Sequence, residues 1–180
     1  LFGSPPSGGA GGYLVVPQAC SATPLTLNFA GTSGAITPPA PGGIFTAVVS
    51  GAGTYLWDLN LNTAITHTAC GDLDMTLTSP QGTVVTIATD CGGTNDNVFN
   101  GTLWDDSAVD TAADKTYTNL VTATPLAPEG RLEKFRGENP NGTWTLRIID
   151  DTAANTGSVN GWSLDTSTLI HPIFPTFNFF

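Results

Sequence analysis

Basic residues are scarce in this chain. Five Lys and Arg stand against 15 Asp and Glu, which gives a formal charge of -10 and a pI near 4.1. A surface of that sign repels phosphate backbones and anionic bilayers, so nucleic acid and charged membrane surfaces are excluded as natural partners and a cation or a protein is favoured. Charge of either sign amounts to only 11% of residues, too little for long helices laced by ion pairs. No apolar run approaches the roughly 18 residues that a membrane-spanning helix needs. With Leu rather than Met at position 1 and no signal-peptide pattern ahead of it, the chain reads as a processed product or an excised fragment. Histidine is limited to His67 and His171, and cysteine to Cys20, Cys70 and Cys91. No CxxC or Cys/His spacing is present that would close a zinc tetrahedron.

What fills the gap is Thr, Gly, Ala, Asn and Pro, the usage of strands and turns, around a hydrophobic content of 40%. At 180 residues and 18.6 kDa one domain with one core is expected. Pro5, Pro6, Gly8 and Gly9 mark residues 1–12 as a flexible leader. Strands are expected at residues 13–16, 25–29, 44–50 and 54–61, separated by Gly/Pro clusters such as 37–43. In the last of these, Tyr55, Trp57, Leu59 and Leu61 share one face by period-2 alternation, and that face should meet the core. The same alternation groups Leu73, Met75 and Leu77, and later Trp144, Leu146 and Ile148. No repeat with a period of about 20 to 50 residues is visible. The architecture expected is an all-β antiparallel sandwich.

Ser79-Pro80-Gln81-Gly82 is a tight turn between strand-like runs at 72–78 and 83–89, because Pro presets φ and Gly admits positive φ. A hairpin centred between Pro80 and Gln81 brings Cys70 opposite Cys91. A disulfide there would place the protein in an oxidising compartment; two buried free thiols are the alternative, and Cys20 is left odd either way. Asn141-Gly142 reads as a hairpin-type turn ahead of the Trp144 strand.

From residue 52 onward a longer order of pieces becomes specific. Ile65-Thr66-His67-Thr68 leads to Gly71-Asp72-Leu73, then to Ser79-Pro80-Gln81-Gly82-Thr83. Leu103-Trp104-Asp105-Asp106-Ser107, Pro128-Glu129-Gly130-Arg131-Leu132, Asn141-Gly142-Thr143-Trp144 and Gly157 to Trp162-Ser163-Leu164 follow in turn. This series resembles the P domain found behind the catalytic domain in subtilisin-like proprotein convertases and many bacterial proteases. The resemblance covers about residues 36–168 within a folded unit of 13–168. It implies a jelly-roll sandwich, without catalysis of its own, that packs beside a protease domain. The stretch before Ile36 and the tail at 169–180 lie outside the pattern.

Catalysis is not expected. Gly31-Thr32-Ser33-Gly34-Ala35 resembles a protease serine motif, but Ile36-Thr37-Pro38-Pro39 cannot begin the helix such a serine needs, and His67 lies inside a strand motif. Adjacent carboxylates at Asp105/Asp106 and Asp150/Asp151 point to opposite faces of a strand, so adjacency is no sign of an acid/base pair.

Calcium is the expected ligand. It takes about six to eight oxygens from carboxylates, amides and carbonyls. Asp90, Asp96 and Asn97 in a Gly-rich loop, with Asp105 and Asp106 following, form a first candidate site, and Asp72, Asp74, Asp150 and Asp151 a second. The alternative for both is ordinary Asx-turn chemistry. The tail carries Phe174, Phe177, Phe179 and Phe180. These are expected either to cover the domain's own core or to add a strand to a partner or a second copy. The function expected is therefore a secreted accessory or interaction module that stabilises a protease or directs it to a protein substrate. Two alternatives stand beside it: a self-assembling extracellular subunit, and a calcium-assisted carbohydrate-binding jelly roll using exposed aromatics such as Trp57 or Trp104.

Overall fold

The structure, a computed structural model, describes residues 23–37 and 42–169. The leader, the strand expected at 13–16 and the four tail phenylalanines lie outside the described residues, as do Cys20 and His171. Nine strands follow in chain order: β1 (Leu25–Ala30), β2 (Gly34–Ile36), β3 (Gly43–Val49), β4 (Tyr55–His67), β5 (Leu73–Thr78), β6 (Val84–Thr89), β7 (Asn100–Trp104), β8 (Gly142–Asp150) and β9 (Gly157–Leu169). Two single 3-10 turns, Cys70–Asp72 and Leu132–Phe135, are the helical content of the described residues.

The strands form two antiparallel sheets. One has the order β1-β9-β4-β7, with β2 also paired to β9, and the other the order β3-β8-β5-β6. Early strands thus pair with late ones across the chain ends, which is the double Greek key of a jelly roll. The inner faces close on Leu61, Ile65, Leu73, Met75, Leu77, Trp104, Trp144, Leu146 and Ile148, all fully buried. Each such side chain contributes about 1.5–3 kcal/mol by leaving water. Trp144 packs edge-on against Phe135 at 4.9 Å, and its Nε1–H donates to Pro140 O at 2.8 Å. Trp104 Nε1–H donates to Thr63 Oγ1 at 2.9 Å. Both indoles therefore enter the core with their polar atom satisfied.

Three local readings are corrected. On β4 Leu56 is buried while Tyr55 and Trp57 are exposed, and Leu59 and Leu61 are buried again. The cause is a bulge between Leu56 and Asp58 in the pairing with β9, which leaves Trp57 unpaired and shifts the alternation by one. Across β5 and β6, Thr78 pairs with Val84, and a second bulge at Met75/Thr76 moves the register on, so that Asp74 meets Thr89. The pairing stops there: Cys70 lies in the 3-10 turn ahead of β5, with its Cβ against Gly92 beside Cys91, and both cysteines stand as free thiols. The turn itself forms as read, with Gly82 N–H donating to Ser79 O at 3.0 Å and Gly82 at φ 87°. Asn141-Gly142 turns no hairpin. Asn141 instead clamps the backbone of Ala52, accepting from its N–H at 3.1 Å and donating to its carbonyl at 3.0 Å.

Candidate functional site

Most of the expected ligand residues lie in two places. The first is the end of the sandwich where β4 and β8 finish and β5 begins. Here His67 Nε2 lies 3.1 Å from Asp150 Oδ2, with both side chains fully buried. His67 Nδ1 lies 2.8 Å from Ala69 O and 3.2 Å from Ala69 N. The ring lies close against Gly157, where any Cβ would overlap His67 Cδ2. Asn97 Oδ1 accepts from His67 N–H at 2.9 Å, which ties the loop after β6 to the end of β4. This histidine is committed to structure on every side and cannot serve Ser33, which sits in the exposed β1–β2 connection.

Three of the carboxylates around it accept hydrogen bonds from nearby loop residues. Asp150 Oδ1 accepts from Thr152 N–H, and Asp72 Oδ2 accepts from Asn155 Nδ2 at 2.5 Å. Asp151 N–H donates to Asp72 O, and Asp151 Oδ1 accepts from Thr152 Oγ1. Asp90 and Asn97 hold positive φ, 54° and 59°, at tight turns, and Asp96 N–H donates to Asn119 Oδ1. Asp74 differs: its Oδ1 is buried without a hydrogen-bond partner. Burial pushes its carboxyl above the usual range, and the charges of Asp90, Asp151 and Glu129 push it the same way.

The second place lies beyond β7. Asp105 Oδ1 accepts from Ser107 N–H and Oγ–H in an Asx turn. Asp106 accepts from Leu132 N–H and Glu133 N–H, satisfying the start of the 3-10 turn. The first candidate set is thus divided between two loops. Among the described residues no three His, Cys, Asp or Glu side chains converge as a metal-holding group.

The two described thiols are buried. Burial pushes Cys91 up to about 11, and it pushes Cys70 up as well. Cys91 Sγ–H reaches Thr89 O and Glu129 Oε1 at 3.3 and 3.4 Å. A thiol kept protonated is a poor nucleophile. The sequence reading missed Asp165, whose oxygens gather amide donors from two neighbouring strands. The signal available was the polar series Ser163, Asp165, Ser167 alternating with Trp162, Leu164 and Thr166 on β9.

The described residues thus form an all-β jelly roll in which His67 and several of the acids are tied into loops and strand ends. The model of the Proprotein convertase P-domain matches residues 56–166, and the chain belongs to that family. The P domain is a non-catalytic accessory domain of proteases. Leupeptin-inactivating enzyme 1 of Streptomyces exfoliatus is 31% identical over 100 residues, which are 56% of this chain and 16% of that protein. The serine protease of Aeromonas sobria is similar with a TM-score of 0.48 and 16% identity, over 80% of this chain and 27% of that one. The same protease in its complex with the chaperone ORF2 gives a TM-score of 0.47 and 17% identity, over 82% and 28%. The chain spans less than a third of the length of each of these proteins. No helix among the described residues is long and apolar enough to cross a membrane.

Proposed function

We propose that this chain is a secreted accessory module that stabilises a protease domain or directs it to protein substrates. The family match carries the reading, because residues 56–166 take in nearly all of β4 to β9 and therefore the bulk of both sheets. A folded neighbour that binds only the native protease stabilises it by mass action, which needs no chemistry from the module itself. Exposed apolar residues suited to a contact are Ile44 and Val48 on the edge strand β3, and Leu120 with Val121 in the long connection after β7. Secretion belongs to this proposal through the family and the acidic surface rather than through the cysteines, which are free. Calcium belongs to it as a stabiliser: a divalent cation beside Asp74, Asp90 and Asp151 would relieve their mutual repulsion, drawing them inward from the positions they hold.

The test is deletion of residues 23–169 from the full translated product that carries them. Lost thermal stability or lost cleavage of protein substrates, with turnover of a small chromogenic peptide retained, is the expected result. An unchanged product would sink the proposal. Size-exclusion of the 180-residue chain with and without residues 170–180 separates this reading from a self-assembling subunit, which would form large species that vanish with the tail.

A further inference from the structure

We propose that the outer face of the five-stranded sheet binds a neutral oligosaccharide along β4. This goes beyond the accessory-module reading and does not rest on it. Residues paired across antiparallel strands share a face. Three rows therefore line the outside: Thr26, Ser167 and Asp58; Asn28, Asp165 and Asn60; Ala30, Ser163 and Asn62. Asp165 is the hub, with Asn28 Nδ2 donating to Oδ1 at 2.6 Å and Asn62 Nδ2 donating to Oδ2 at 2.7 Å. Asn28 Nδ2 also reaches Ser163 Oγ at 3.0 Å, and Thr26 Oγ1 lies 3.1 Å from Ser167 Oγ. The amides are held in place before any ligand arrives, which lowers the entropy cost of binding. In the middle row Asn60 Oδ1 is buried and accepts no hydrogen bond.

The bulge at Leu56/Asp58 brings Trp57 onto this same face next to Asp58. Trp57 is 45% exposed, and the Arg136 guanidinium holds one face of its ring at 4.8 Å. Arg136 Nε–H also donates to Trp57 O at 3.1 Å, and Nη1 lies 3.3 Å from Glu133 Oε1. Trp57 thus rests against Arg136 with part of its surface open to solvent. Trp104, the other indole considered for such a role, is fully buried.

A depression of about 390 Å³ beside Trp57, Asp58, Asp105 and Arg131 opens at one end of the track. Another of about 380 Å³, lined by Asn28, Asn62, Gly161 and Ser163, opens at the other. At about 3.3 Å per residue the run from Trp57 to Asn62 spans on the order of 15 Å, room for several sugar rings. A pyranose presents an apolar face for an indole and a rim of hydroxyls for amides and carboxylates, and this track presents both complements in sequence. A protein interface would need an apolar centre, which the Asn/Asp/Ser rows lack. Asp58, Asp165, Asp105 and Asp106 make an anionic glycan the wrong ligand.

The test uses the 180-residue chain in affinity electrophoresis against β-glucan, xylan, galactomannan and starch, with alginate as the anionic control. Retardation by at least one neutral polysaccharide is expected, weakened at least tenfold by Trp57→Ala and by Asn60→Ala, with unchanged melting as the check on fold. Should Trp57→Ala unfold, Asn62→Ala takes its place. Because Trp104, Trp144 and Trp162 are buried, binding of the matching hexasaccharide should shift tryptophan emission through Trp57. No retardation by any neutral polysaccharide, retardation by alginate alone, or retardation that the variants keep overturns the proposal.

Discussion

His67 on β4 and Asp150 on β8 join the two sheets, with Nε2 and Oδ2 3.1 Å apart in a fully buried pair. Removing one partner leaves a polar or charged group in the core without its complement, a loss of about 3–5 kcal/mol. Urea unfolding of His67→Ala and Asp150→Ala should show that loss for each. The double variant should cost less than the two added together, since neither partner is then stranded. Additive losses would mean that the pair does not couple the sheets.

Asp74 should weaken the fold at neutral pH. Its folded-state pKa is raised above the usual carboxylate value by burial and by Asp90, Asp151 and Glu129. Ionisation therefore costs the native state more than the unfolded chain once the pH exceeds the unfolded value, and nothing well below it. Asp74→Asn is expected to melt higher than the parent at pH 7, with the gain gone below about pH 4. Calcium should raise the parent's midpoint and leave that of Asp74→Asn nearly unmoved. Equal calcium responses would remove Asp74 from any metal site.

The thiols give an alkaline signature. With Cys91 raised to about 11, the unfolded thiol ionises first, so stability is full below about pH 9 and declines as pH rises towards 11. Iodoacetamide should leave Cys70 and Cys91 unlabelled in the native protein at pH 8 and modify both in urea, as read by peptide mass mapping. A Cys70–Cys91 disulfide in those maps would contradict the free thiols of this fold.

Asn141 carries a clamp that is read most simply by deletion. Asn141→Ala strands the N–H and the carbonyl of Ala52, which its side chain now satisfies. The expected loss is about 1–3 kcal/mol in chemical unfolding. Asn141→Asp should recover part of it, keeping the acceptor and losing the donor.

Much of the architecture was legible because it is local. Leu73, Met75 and Leu77, and Trp144, Leu146 and Ile148, all face inward as alternation requires, since a strand's side-chain period is set by its own backbone. The turn at Ser79 to Gly82 formed for the same reason, and the ordered motifs led to the family that the match over 56–166 shows.

Composition and local pattern determined the all-β class, the inward faces of β5 and β8, and the family. Tertiary structure decided what those strands do to one another. The bulge that turns Trp57 outward depends on how β4 meets β9, and the register shift at Met75/Thr76 depends on how β5 meets β6. His67 finds Asp150 from 83 residues away, and Asp165 finds Asn62 and Asn28 from 103 and 137. Asp106 accepts from Leu132 N–H and Asp72 from Asn155 Nδ2, partners 26 and 83 residues away. Pairing over such separations is chosen by the burial of two whole sheets, an energy that no short window of sequence contains.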